Sequence, residues 1–408
     1  MTGPSNDGHD NGRAPSSGPT GNEPAGPAPV TPGAGWHRAG GTDLTKPRRK
    51  RRKGGGGWGS GNREAAMVPE AEFSSYYGRQ IIKTPTWKNP EVPIYFFLGG
   101  AAGTSSVIAA LAEFTGRPKL ARNAEYAAGV GALASVVLLI DDLGRPERFL
   151  HMLRVFKVTS PLSVGSYILS PFSALTSAAA AFRLLDLAPV AGLATKVVPF
   201  LPKVAGSIPL LRKASAVGAA AFGGPMATYT AVLIANTAVP SWHAPYDELP
   251  FVFAGSAMAA GGGITMALTP VDEAGPSRKV ALTGVAVELA AMHRVENGHG
   301  IVSEPYHLGK AGKLLRAAKA ATVSGAGITA LAGRTRAGSV VGGVLLATGS
   351  LLTRMGVFEA GIASAKDPKY TVIPQRERIA AREAARGATA DGTEGNAVEA
   401  GEASTITR

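Results

Sequence analysis

Between residues 92 and 360 the chain is a succession of apolar stretches, most close to 20 residues long, separated by short polar breaks. A helix needs about 20 apolar residues to cross the hydrocarbon core of a bilayer. Backbone polar groups in lipid must also be satisfied within the segment, so such stretches fold as helices. The spans predicted on this basis are 92–113, 124–141, 163–185, 214–237, 249–269, 279–292, 316–332 and 338–360. The sixth is short and ends at His293-Arg294, and the seventh is Ala-rich and flanked by Lys319 and Arg334. Seven or eight spans are compatible with the pattern, and eight is the expectation. The fold class is all-α integral membrane.

The flanks read differently. Residues 1–70 are rich in Pro and Gly and hold too little apolar surface to offset the entropy of ordering, so a disordered tail is expected. Residues 71–91 carry Phe73, Tyr76, Tyr77 and Trp87, an aromatic mix typical of a membrane interface. The helical domain is expected over 92–363 and a polar tail over 364–408. Residues 187–213 contain four prolines and predict an interfacial excursion between the third and fourth helices.

Net charge is +13, with a dense run at Lys46–Lys53. Beside a membrane domain such a run is an orientation signal on the cytoplasmic side. No nucleic-acid-binding fold surrounds it, so nucleic acid is not an expected partner. The first 45 residues contain no apolar signal region. With an even number of spans, both termini are expected in the cytoplasm.

The chain has no cysteine, which excludes thiolate-ligated iron–sulfur clusters within it. Its histidines at 151, 243, 293, 299 and 307 fall at span ends or in loops, so bound haem b is not expected. No phosphate-cradling loop, zinc-ligand pair or nucleophile elbow is present.

Charges inside lipid each cost about 2.5–3.5 kcal/mol on insertion scales and need a reason. Glu113 and Arg183 lie near span ends, where they can snorkel. Asp141 and Asp142 end the second span and precede Arg145 and Arg148, which suggests either a surface ion-pair cluster or a proton-accepting acid at a pocket mouth. Tyr229 falls inside the fourth span and its hydroxyl requires a partner, with Asn236 two turns on along the same face. Glu288, Arg354 and Glu359 are the remaining deep charges, expected to find partners on other helices or to line a water-filled path. The run Gly261-Gly262-Gly263 permits close helix packing and could also break a helix near a site.

Four segments together resemble one family: YYGRQIIKTPTWKNPEVPIYFFLGGAAG, LLIDDLGRPERFLHMLRVFKVTSPLSVGSYIL, YTAVLIANTAVPSWH and LTRMGVFEAGIASAKDPKYTV. They are similar to the NrfD/PsrC family of membrane subunits of polysulfide reductase-like molybdopterin oxidoreductases. The last segment resembles the actinobacterial branch. The resemblance covers roughly residues 75–375, and its most specific part is DLGRPERF followed by TSPLSVGS.

It implies eight helices in two four-helix bundles, without haem. It also implies a site for menaquinone or another quinone, a ferredoxin-like iron–sulfur partner subunit and a molybdopterin catalytic subunit. On this resemblance the quinone contacts are Asp142, Tyr229 and Arg145, with Asn89, Glu91 and Tyr95 on or ahead of the first helix. His151, Glu288, Arg354 and Glu359 are the candidates for proton transfer. The function implied is a quinone-binding membrane anchor of a respiratory complex. The reading from another class is a secondary transporter or a purely structural anchor.

Overall fold

The computed structural model describes residues 80–143, 145–185 and 205–386. The expected tail over 1–70 and most of the proline-rich excursion lie outside these residues. Among the described residues there is no strand, and eight helices reach 20 residues or more. We number these α1 (Glu91–Phe114), α2 (Pro118–Asp142), α3 (Pro161–Leu184), α4 (Ile208–Ala235), α5 (Leu249–Leu268), α6 (Gly275–Asn297), α7 (Gly309–Ala332) and α8 (Arg336–Lys366). Five of them, α1, α2, α4, α5 and α8, are long and apolar enough to cross a membrane.

The helix starts follow from local chemistry. Proline occupies the first or second position of α2, α3, α4, α5 and α6, where its missing N–H costs nothing. Ser160 and Thr335 accept hydrogen bonds from the N–H groups of Ser163 and Gly338 and cap α3 and α8. Gly116, at φ 68°, makes the tight turn from α1 into α2.

Several boundaries differ from expectation. Helix α6 runs on through His293 and Arg294 to Asn297, and α7 opens at Gly309 rather than 316. Hydropathy marks where the apolar stretch stops, but backbone hydrogen bonding continues into the polar turns beyond it. Helix α4 begins at Ile208, so the last part of the predicted excursion is its opening turns. Helix α8 extends to Lys366, and residues 369–386 are again helical.

Side-chain contacts show that the helices alternate in direction. Ser135 on α2 bonds the Tyr95 carbonyl on α1, and Gly165 on α3 lies against Tyr229 on α4. One end of the bundle therefore holds the start of α1, the end of α2, the start of α3 and the end of α4. The same end holds the start of α5, the end of α6, the start of α7 and the end of α8. Helices α1–α4 form one group and α5–α8 another, with α1 and α5 packed together between them.

Helix α5 is continuous through its three glycines, which do not break it. Each faces a different neighbour: Gly261 lies against Thr104 of α1, Gly262 against Ser277 and Ala281 of α6, and Gly263 against Gly343 of α8. A Cβ at Gly261 would stand 2.6 Å from the Thr104 Cβ, so α5 can hold this central position only without side chains there.

The far end of the first group contains an ionic network that hydropathy does not reveal. Glu125 of α2 accepts from Arg183 Nε of α3 at 2.7 Å and from Arg212 of α4 at 2.8 Å. Glu113 of α1 accepts from the same two arginines at 3.2 and 2.7 Å. Glu113 and Arg183 thus do not act as isolated snorkelling charges, and with Glu125 and Arg212 they tie all four helices together. Removing one member of a buried pair leaves the other charge uncompensated, at about 3–5 kcal/mol. Glu125→Gln is therefore expected to lower the melting temperature of the purified protein clearly, whereas Glu147→Gln, on an exposed turn, leaves it unchanged. Equal melting curves for the two variants would show that the network contributes nothing.

Candidate functional site

The residues singled out in the sequence gather mostly at the end of the bundle where α1 begins. The chain reaches α1 through an extended segment, and Trp87 of that segment is inserted between the two helix groups. Its ring stacks on Trp242 at 5.7 Å between centroids and on Phe358 of α8 at 6.4 Å. Trp242, fully buried in the single-turn helix Pro240–His243, donates its indole N–H to the Val357 carbonyl at 2.8 Å. Tyr306 donates its hydroxyl to the neighbouring Ser241 carbonyl. These aromatic groups give Lys88 and Asn89 a fixed position. Trp242 was visible in the sequence only as a residue at a helix exit; its role depends on partners remote in sequence.

Lys88 and Asn89 then reach opposite ways. The Lys88 backbone N–H donates to Asp142 Oδ1 at 2.9 Å, and its ammonium pairs with Asp141 at 3.1 Å. Asn89 donates its side-chain amide to Glu359 Oε1 of α8. The same oxygen accepts from Lys310, in the first turn of α7, at 2.6 Å. Two consecutive residues thus join an acid of the first helix group to an acid of the second.

Arg145 is exposed and forms no ion pair with Asp142 among the described residues, so the expected Asp–Arg cluster is a pairing with Lys88 instead. Glu91 lies half-buried in the first turn of α1 without a hydrogen bond to another described residue. His151 is exposed on the turn Pro146–Leu153 at the same end, and its ring makes no hydrogen bond among the described residues.

Tyr95 and Tyr229 lie deeper, in one core with Val92, Leu169 and Phe172. The Tyr229 ring occupies space that only Gly165 leaves open, since a Cβ there would meet its edge at 2.5 Å. Its hydroxyl has no hydrogen-bond partner among the described residues. Asn236, predicted to share its face, is exposed at the α4 C-terminus and does not reach it. The Tyr95 hydroxyl is likewise without such a partner, while its carbonyl accepts from Ser135 at 3.4 Å.

Glu288 and Arg354 lie elsewhere, inside the second group. Glu288 is 2% exposed; one carboxylate oxygen accepts from Thr353 at 2.7 Å and the other has no partner among the described residues. A narrow cleft of about 20 Å³, room for about one water, leads to it between α6, α7 and α8, lined also by His293, Glu296 and Lys319. Arg354 donates to the Phe253 carbonyl at 2.7 Å and lies 3.8 Å over the Phe253 ring. Its other two nitrogens have no partner among the described residues. Arg354 and Glu359 thus do find partners on other helices, but Arg354 and Glu288 form no direct ion pair.

The site residues therefore fall into two sets. Asn89, Asp142 and Glu359 are drawn together at one end, with Tyr95 and Tyr229 in the core beneath. Glu288 and Arg354 are separate from them. Sequence comparison bears on the whole arrangement: a family model described as "Polysulphide reductase, NrfD" matches residues 82–286, half of the 408. The chain belongs to the NrfD family. It is a multi-pass membrane protein of that family, and the match takes in α1 to α5 and the Asp142 turn. No curated protein matches the chain. The NrfD match ends within α6, so Glu359 of α8, the partner of Asn89, and Lys310 of α7, which shares that carboxylate, are given by the structure alone.

If Glu359 holds Asn89 and Lys310 together, Glu359→Ala leaves both without an acceptor. Each lost bond contributes about 0.5–1.5 kcal/mol, more where charged. Glu359→Ala is expected to destabilise the protein more than Lys310→Ala, which removes only one of the two donors; thermal melts of the two variants in the same detergent compare them directly.

Proposed function

We propose that this chain is the quinone- or quinol-binding membrane anchor of a respiratory molybdopterin oxidoreductase complex. It exchanges electrons with a ferredoxin-like iron–sulfur subunit, which in turn serves a molybdopterin catalytic subunit. The observation that carries the reading is Tyr229: its side chain is only 8% exposed, and its hydroxyl has no hydrogen-bond partner among the described residues, in the half of the bundle that ends at Asp142. A hydroxyl so placed is free to donate to a carbonyl oxygen of a bound quinone. Membership of the NrfD family supports the same reading.

When bound, a quinone supplies two-electron, two-proton redox chemistry. Tyr229 donates a hydrogen bond to one ring oxygen. Asp142, held by the Lys88 N–H, accepts or releases a proton at the mouth of the site. Tyr95, Asn89 and Glu91 shape the entrance from α1. Arg145 and His151, both exposed, lie toward the aqueous phase, where the His151 ring can pass protons between its two nitrogens. A chain without cysteine needs a partner to carry electrons onward.

Glu288 and Arg354 belong to a separate proton path, with the narrow cleft at Glu288 as its opening; Glu359, on the same helix as Arg354, takes part through Lys310 of α7. The experiment is quinol-linked turnover of the assembled complex. Tyr229→Phe and Asp142→Asn are expected to reduce it by about tenfold or more, the scale of one lost polar contact to substrate. Glu288→Gln is expected to leave quinol affinity unchanged while reducing proton uptake per turnover. Normal turnover in the Tyr229 and Asp142 variants, with the complex intact, would reject the quinone site.

On this reading the complex sits in the cell membrane with both chain termini cytoplasmic; the start of α1 and the end of α8 at one end of the bundle, and the basic run ahead of α1, support it. A reporter fused after Arg408 is then expected to read cytoplasmic, and a periplasmic signal would reverse the orientation.

A further inference from the structure

At the end of the bundle opposite Asp142, an apolar groove runs between α5 and α8. Ile264, Ala267 and Leu268 form one wall and Val344 and Leu351 the other, with Phe97 of α1 closing the inner end. The groove holds about 320 Å³. Its floor is the crossing of Gly263 with Gly343, where the two backbones come too close for anything to pass between them. From Gly343 to Leu351 it runs about 12 Å along α8, close to the ~15 Å depth of one leaflet.

The mouth of the groove is basic. It opens at Leu268, the last residue of α5, and the next carbonyl, Thr269, accepts one guanidinium N–H of Arg336 at 3.0 Å. Arg336 is otherwise an exposed residue, as is Arg334 two residues before it. Arg278 of α6 is bound to the Gly333 carbonyl at 2.7 Å. The acids nearby are turned the other way: Glu273 accepts the Lys119 and Leu120 N–H groups at the start of α2, and Asp272 pairs with Lys119. Among the described residues no carboxylate forms an ion pair with the arginines at the mouth.

The geometry points to a binding site for one anionic phospholipid, an acyl chain in the groove and its phosphate-bearing headgroup against Arg334 and Arg336. Moving an acyl chain from bulk lipid into the groove gains little, because lipid tails are as apolar as the leucines that line it. Retention must therefore come from the headgroup, and the arginines select anionic over zwitterionic lipid. A basic residue near the surface is worth about 1 kcal/mol toward anionic lipid, close to fivefold in occupancy. This site opens away from the proposed quinone site and does not depend on it.

The test uses the full-length protein reconstituted in vesicles of equimolar phosphatidylglycerol and phosphatidylcholine, then extracted in mild detergent for native mass spectrometry. One phosphatidylglycerol per chain is expected, enriched about fivefold or more over phosphatidylcholine. Ala347→Phe fills the groove and is expected to remove bound lipid of either class. Arg334→Gln, which spares the Thr269 contact, is expected to retain one lipid with the enrichment reduced several-fold. Equal retention of the two phospholipids by the wild-type chain overturns the proposal without reference to any variant. So does recovery of an isoprenoid quinone in place of phospholipid, or unchanged retention in a folded Ala347→Phe protein.

Discussion

Inside hydrocarbon a charged side chain can be neutralised only by another part of the protein, and the two helix groups meet that constraint differently. In α1–α4, Glu113, Glu125, Arg183 and Arg212 exchange six hydrogen bonds or ion-pair contacts among themselves at one end. Both oxygens of each carboxylate are engaged, and the network is a tie between helices. In α5–α8, Glu288 and Arg354 are more deeply buried yet incompletely partnered. A fold that satisfies four buried charges in one half has the means to satisfy two in the other. The unspent capacity at Glu288 and Arg354 is therefore the stronger argument for a working role, and the satisfied network argues only for stability.

The packing that makes this possible depends on small residues. Helix α5 touches α1, α6 and α8 through three consecutive glycines, each directed to a different neighbour by the 100° turn between residues. That places Phe253 where its carbonyl and ring both meet Arg354, and brings Gly100 of α1 beside the same guanidinium. The central helix thus governs both the join between the groups and the environment of the deepest charge.

Eight helices and their order were legible in the sequence because hydrophobicity over 20 residues is a local property. Helix ends were less so: α6 and α7 continue into charged turns that hydropathy counts as loops. The individual candidates Asp142, Asn89, Tyr229 and Glu359 were also legible, as polar residues that lipid does not tolerate without cause. Their grouping was not. Asn89 and Glu359 meet across the bundle from nearly opposite ends of the helical domain, and no spacing rule connects them. Likewise the choice of Lys88 over Arg145 as the partner of the aspartate pair follows from Trp87 locking the preceding segment against Trp242 and Phe358.

That lock gives the end of the bundle a mechanical property. Asp142 and Glu359 belong to different helix groups, yet each is held by one of two adjacent residues, and adjacent Cα atoms are about 3.8 Å apart across a trans peptide. A ligand group that bonds the free Asp142 oxygen leaves the Lys88 N–H in place, whereas one that takes Oδ1 competes with it and bears on the neighbouring residue whose side chain holds Glu359 and, through that carboxylate, Lys310 of α7. Helix α7 in turn lines the cleft that leads to Glu288. The proposed quinone site and the proposed proton path, although built from different helices, therefore share one short covalent link, through which a change at the first can bear on the wall of the second.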